Sequence, residues 1–384
     1  MMRPMKFGGE QIIFGEDSLT HLKSLKGEKA YIVPADFLIN SEILKKISDY
    51  LKEAGFEVEI FDEIIPPDPN FEVVKSGAKK MIKFKPDLIV TVGGGSAMDA
   101  AKSMWILYEH PYIDTIEKFT SLHNKLPKIR KKAIIAAIPT TSGTASEVSR
   151  SVVISDAETK QKFGVSDMQL IADIVILDPE MVMSLPPIIT AYTGMDALTH
   201  AIESYISNRA NFLSDIFSEK SIEVILNNLY ESYKNPNLKN REMMLIGSAI
   251  AGMSFTNVSL GIVHSISHSL GSLFNIPHGL GNAIILPYVI EYNMEDESTS
   301  EKLKSLCNKL NISNILDEIK ILNKNLNIPS NLKEYLKDDD LFENKLDDLI
   351  KMSLNDGCTK TNPIIPQYES MKNLLIKIYF GGKK

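Results

Sequence analysis

Residues 88–92, Leu-Ile-Val-Thr-Val, form an apolar, β-branched run that leads directly into Gly93-Gly94-Gly95. An uninterrupted run of this kind belongs to a strand buried on both faces, as in a parallel sheet. Parallel strands need long crossovers, usually helical, and Ser96–Tyr108 reads as the helix that follows. Glycines between strand and helix let a backbone approach a phosphate, where free amides and the helix dipole favour an anion. The alternative is a plain tight turn; the strand before and the helix after favour a pyrophosphate. Ser96 is expected to cap the helix, with Asp99 in capping-box position. The match to G-x-G-x-x-G is imperfect. Met98 replaces the third glycine, and no acidic residue ends a strand about twenty positions later.

The rest of the first half alternates in the same way. Lys29–Val33, Phe56–Phe61 and Ala133–Ile138 read as strands, and Ser41–Ala54 as a helix stopped by Gly55. Asn70 closes a Pro-Pro-Asp-Pro-Asn loop and is positioned to cap the next helix. Thr140-Thr141-Ser142-Gly143-Thr144 follows the strand at 133–138 and offers a second, hydroxyl-rich wall to a nucleotide. Shorter β segments lie near Ser151–Ser155, Lys162–Val165 and Ile174–Leu177. Strands alternating with helices predict βαβ units in a Rossmann-like parallel sheet. At Pro186-Pro187 the pattern becomes helical and stays so, as in Phe212–Tyr233, Arg241–Met253, Glu301–Leu310 and Leu341–Met352. The expected organisation is an α/β dinucleotide-binding domain over 1–185 and an all-helical, metal-binding domain over 186–384. Crevices between such domains commonly bind ligands.

Four of the seven histidines fall between residues 194 and 278: His200, His264, His268 and His278. Asp196 and His200 are four apart, as are His264 and His268, so each pair shares one helix face. His278, between Pro277 and Gly279, is expected at a loop or helix start. One such pair arises easily by chance. Two pairs and a third element in otherwise apolar helices point to a divalent metal site.

Composition narrows the function classes. Net charge is −7, which gives no reason to expect nucleic acid or an anionic membrane as partner. No apolar run reaches membrane-spanning length, and Met1–Lys6 lacks the apolar core of a signal peptide. Two cysteines, Cys307 and Cys358, make no disulfide framework, so a reducing, cytoplasmic setting is expected.

Several long motifs occur in one order: Phe14-Gly15, Gly93–Lys102 (GGGSAMDAAK), Ile138–Val148 (IPTTSGTASEV), Thr193–Glu203 (TGMDALTHAIE), Gly261–Gly271 (GIVHSISHSLG), Pro277-His278-Gly279 and Asn362-Pro363. In these the chain resembles, over essentially its whole length, the iron-containing (group III) alcohol dehydrogenases. The resemblance implies a dehydroquinate synthase-like architecture and hydride transfer between NAD or NADP and a small primary alcohol or aldehyde. It implies Asp196, His200, His264 and His278 as ligands to Fe(II), with Zn(II) as a substitute. It places His268 beside the metal as substrate positioner or proton relay, and Phe255 in the substrate pocket. Cofactor contacts are implied at Asp36, Asn70, Gly94, Gly95, Ser96, Asp99, Thr140, Thr141, Ser142, Thr144 and Lys162. A homodimer is implied too, with Gln11–Phe14 supplying a strand across the interface.

Two departures stand out. NAD-using relatives often end the first strand of the nucleotide half in an Asp that bonds the ribose; here that position is Ala35, with Asp36 just after. A missing carboxylate removes the repulsion against a 2′-phosphate, so NADP is open. Relatives often carry Arg after Asn-Pro, where this chain has Ile364. A dehydroquinate synthase-type lyase would need a site rich in basic residues for a phosphate substrate. Between 194 and 278 only Arg209, Lys220, Lys234, Lys239 and Arg241 are basic, none within a metal motif.

Overall fold

A computed structural model of the chain describes residues 4–122, 125–157 and 161–382. Met1–Arg3, where the sequence reading of the N-terminus begins, lie outside them. The chain forms two compact units, Met1–Ser184 and Leu185–Lys384.

The first unit is built on a parallel sheet. Its strands are β1 (Gln11–Phe14), β2 (Lys29–Pro34), β3 (Glu57–Ile60), β4 (Leu88–Gly93), β5 (Ile134–Pro139) and β8 (Ile174–Leu177), in the order β1-β8-β5-β4-β2-β3. Helices α1 (Glu42–Glu53), α2 (Phe71–Phe84), α3 (Gly95–Glu109) and the short α4 (Ile116–Thr120) connect them. β6 (Ser151–Ser155) and β7 (Lys162–Ser166) form a separate antiparallel hairpin, whereas Ile174–Leu177, similar in sequence length, joins the main sheet beside β5. The middle strand β4 is buried at every position. Ile32, Val90 and Ile138 point to one face, packing with Ile47 and Leu51 of α1. Their neighbours in sequence point to the other, where Tyr31 meets Phe84 of α2, because successive strand side chains alternate.

The strand order reverses between β2 and β4: the chain steps outward to β3, then returns to the far side of β2. In open α/β sheets such a point marks the crevice where ligands bind, beyond the carboxyl ends of the strands. Here the ends lie side by side, with Pro34 opposite Val92 and Ala35 N donating to Val92 O at 2.8 Å. Gly93 is required by this closeness, since a Cβ there would stand 2.6 Å from Ala97 Cβ and 2.9 Å from Ala35 Cβ.

The second unit is helical: α5 (Pro187–Ile206), α6 (Phe212–Lys234), α7 (Leu238–Val258), α8 (Ile262–Phe274), α9 (His278–Asn293), α10 (Glu297–Leu310), α11 (Ile315–Asn325), α12 (Leu332–Leu336), α13 (Asp339–Asn355) and α14 (Tyr368–Phe380). Asn211 and Asn237 open α6 and α7 with reciprocal capping boxes, which satisfy donors the helices leave free. α5 is the axis of the unit. Nearly all of its residues from Thr190 onward are buried, and it packs on α6, α7 and α9. Such a helix carries no amphipathic stripe because every face meets another helix. Its polar residues Asp196, His200 and Glu203 are therefore held inside the protein. Among the described residues no single helix is long and apolar enough to cross a membrane.

Candidate metal centre and cofactor loop

Asp196 and His200 stand one turn apart on α5, His264 in the first turn of α8, and His278 is the first residue of α9. The three elements bring four donors together. Asp196 Oδ1 lies 3.8, 3.7 and 3.5 Å from the Nε2 atoms of His200, His264 and His278. A cation with bonds of about 2.1 Å in a tetrahedral site holds its ligand atoms roughly 3.4 Å apart, the scale of these three spacings. The ligand atoms of Asp196, His200 and His264 all fall within 4.8 Å of one another, a group that does not include His278; His278 approaches it through Asp196. His264 and His200 are almost fully buried, whereas the His278 side chain is 40% exposed. One carboxylate and three imidazoles suit divalent iron or zinc.

Further residues fix the orientation of the ligands. Glu203, one turn beyond His200, accepts from His264 Nδ1 at 2.6 Å and from Val263 N at 2.7 Å. The Nδ1 proton is thereby tied to Glu203, which leaves Nε2 as the nitrogen turned toward Asp196. Gly261 makes the approach possible, since a Cβ there would stand 2.8 Å from Glu203 Oε1. Burial alone pushes the His264 imidazole down, but Asp196 and Glu203 outweigh it and carry the ring to about 9. Burial pushes Asp196 up, yet His200, His278 and His264 hold its carboxyl well below the usual range. A field that draws a proton to a buried imidazole also draws a metal cation.

His268 is not among the four donors. Its Nδ1 donates to Asp356 Oδ2 at 2.9 Å, and its half-exposed ring stacks on His278 with centroids 5.3 Å apart. Burial pushes the Asp356 carboxyl up, but the His268 hydrogen bond holds it well below the usual range. Phe255 stacks on His200 at 4.5 Å, which puts an aromatic wall beside the ligand set. Asn362 donates to Ile364 O, leaving the aliphatic Ile364 to contribute only its backbone here.

In the first unit the glycine loop meets the segment after β5. A Cβ on Gly94 would stand 3.3 Å from Thr141 Oγ1, and one on Gly95 3.1 Å from Thr144 Cγ2. Thr140, Thr141 and Ser142 have buried hydroxyls with no hydrogen-bond partner. A buried polar group left unpaired costs about 1–3 kcal/mol. Three in succession beside free amides at a helix start fit a bound phosphate group, which would accept from them.

The expected helix cap at Ser96 is corrected. Gly94, in an extended conformation, takes the cap position and the helix starts at Gly95. Ser96, already inside the first turn, donates to the carbonyl of Pro67. Asp99 does not cap either. It is buried against the following loop, accepting from Ser146 Oγ at 2.8 Å and Val153 N at 2.9 Å. Lys102, fully buried on the same helix, donates to the carbonyls of Ser146 and Ser149. Burial lowers Lys102 to about 8 and raises Asp99 to about 6. The pair thus ties α3 to the chain that follows the hydroxyl-rich segment. The 66–70 loop gathers other expected cofactor residues: Asn70 caps α2 through Val73 N, Lys162 pairs with Asp68 at 2.8 Å, and Pro67 meets Ser96. Asp36 lies just past β2, where its Oδ1 accepts from Ile65 N at 2.7 Å.

Residues 9–179 match the family described as iron-containing alcohol dehydrogenase, and residues 190–379 match the C-terminal part of the Fe-containing alcohol dehydrogenase family. The chain is 41% identical over 381 residues to the NADPH-dependent butanol dehydrogenase of Clostridium saccharobutylicum, covering 96% of each. A 1,3-propanediol oxidoreductase structure superposes with a TM-score of 0.90 at 32% identity, covering 99% of this chain and 100% of that one. The iron-containing alcohol dehydrogenase of Thermococcus thioreducens gives 0.90 at 31% identity, covering 98% and 100%. By these matches, which span nearly all of its length, the chain belongs to the iron-containing alcohol dehydrogenase family.

Proposed function

We propose that this chain reduces small aliphatic aldehydes to primary alcohols with NADPH, and runs the reverse reaction, using Fe(II) held by Asp196, His200, His264 and His278. The observation that carries the reading is Asp196 Oδ1 standing 3.5–3.8 Å from three imidazole nitrogens. When bound, the metal supplies a Lewis acid for the substrate oxygen and the nicotinamide supplies or takes the hydride. The chain's own groups do the rest. Glu203 keeps His264 in the ligating tautomer, Phe255 gives the substrate an apolar wall, and His268, steadied by Asp356, exchanges a proton with solvent.

The preference for NADP rests on the end of β2. Ala35 offers no carboxylate to a ribose, and Asp36 spends one oxygen on Ile65 N. The relative from Clostridium saccharobutylicum is NADPH-dependent by name. Gly94, Gly95, Thr140, Thr141, Ser142 and Thr144 hold the phosphates in this reading, and Asn70, Ser96, Asp99 and Lys162 shape the loop around them. β1 lies at one edge of the sheet with Phe14 exposed, and we assign it to a homodimer contact. Both cysteines are free thiols, which supports a cytoplasmic setting.

The test is NADPH and NADH oxidation with a panel of short aldehydes, on iron-reconstituted protein kept from oxygen. Turnover with NADPH and butanal is expected, lost on chelation and in His264→Ala. Activity that survives complete metal removal rejects the reading.

A further inference from the structure

Asn282 lies on α9, one turn after His278, and is fully buried. Its amide nitrogen reaches three of the four ligand atoms: 2.7 Å to Asp196 Oδ1, 3.3 Å to His264 Nε2 and 3.2 Å to His278 Nε2. The carbonyl oxygen of the same amide is buried without a partner. Reversing the amide would set that oxygen 2.7 Å from a carboxylate oxygen, acceptor against acceptor. The ligand set therefore dictates the orientation, at the expense of an unpaired carbonyl.

We infer that Asn282 is a positioning residue of the metal centre, holding the ligand oxygen of Asp196 in place. Lone pairs set what it can do. A carboxylate oxygen can bind a cation and still accept from Asn282, whereas a neutral imidazole nitrogen has one lone pair and must give it to the metal. Asn282 thus keeps its bond to Asp196 and yields the two histidines. Side chains that orient metal ligands typically change metal affinity by about 10–100-fold when removed. The inference rests on the four-residue metal site proposed above.

Asn282→Leu keeps the branching and removes the donor; Asn282→Asp keeps the shape and turns the donor into an acceptor with charge. Zn(II), an air-stable divalent probe, is titrated into chelator-stripped full-length protein against a chromophoric competitor, with circular dichroism to check the fold. Leucine is expected to weaken binding at least tenfold. Aspartate, which sets a like-charged acceptor against the Asp196 oxygen where the donor stood, is expected to weaken it at least tenfold as well. A leucine variant within twofold of wild type overturns the inference. Should leucine fail to fold, an aspartate variant within twofold does so instead. Wild-type protein that takes up no Zn(II) would overturn the metal site itself, a distinct result.

Discussion

Glu203 Oε2 and His264 Nδ1 are 2.6 Å apart, and both side chains are at least 98% buried. A buried carboxylate of this kind needs a committed donor, and a ligating imidazole needs its proton on the far nitrogen. The pair meets both needs with one contact. Glu203→Ala is expected to weaken metal binding by about 10–100-fold, and Glu203→Gln, which can still accept from Nδ1, by less. Metal content after dialysis against a weak chelator checks the order. Equal retention in alanine, glutamine and wild type would refute it.

His268 predicts the opposite pattern. Its Nδ1 is tied to Asp356 and it stands outside the ligand set, so His268→Ala should leave metal content unchanged. Turnover should fall by about 100-fold or more, the usual worth of a positioned proton-transfer group. Added imidazole should restore part of it. Loss of metal along with activity would instead make His268 a ligand.

The sequence exposed some parts of this design more clearly than others. Asp196 and His200 share a helix turn, and so betray themselves by spacing. Glu203 lies on the same face, three residues further, yet its partner is 61 positions away and no local pattern joins them. Asn282 and Asp356 were silent for the same reason: one looks like any helix asparagine, the other like any loop acid. The strands of the sheet were legible because buried parallel strands are continuous apolar runs, but Ile174–Leu177 could not be assigned to the main sheet without knowing its neighbours. Ser96 has the side chain of a cap but not its backbone place, because the extended residue at the helix start is Gly94. Gly94 starts the helix two residues sooner than a cap at Ser96 would.

Glu147 gives a pH prediction. Burial raises its carboxyl from 4.5 to about 7, with Lys102 opposing. A carboxyl whose folded value lies above its unfolded one binds more protons in the native state. Its contribution to stability is therefore full below pH 4.5 and lost as pH rises through about 7. Glu147→Gln removes that loss. The variant should melt higher than wild type at pH 8, with the gap closing toward pH 5. Melting curves across this range decide it, and a gap that widens toward acid would contradict the sign.

Ala35 tests the cofactor preference. It directly follows the strand β2 at the reversal point and leaves the position without charge. Ala35→Asp should favour NADH over NADPH by a factor on the order of 100 in the ratio of kcat/KM values, the scale of a like-charge contact with a 2′-phosphate. Unchanged preference would move the determinant elsewhere.

Thr141 separates cofactor binding from folding. Its hydroxyl is buried, has no partner in the protein and lies closest to Gly94 of the glycine loop. If it donates to a cofactor phosphate, Thr141→Val should weaken NADPH binding by about 10–100-fold, the worth of a hydrogen bond to a charged group. The same substitution removes an unpaired buried hydroxyl from the cofactor-free protein, so its melting temperature should hold or rise. Metal content, set in the other unit, should not move. NADPH fluorescence titration and a melting curve on one preparation give both readouts. A variant that loses stability but keeps NADPH affinity would show that the hydroxyl serves the fold and not the phosphate.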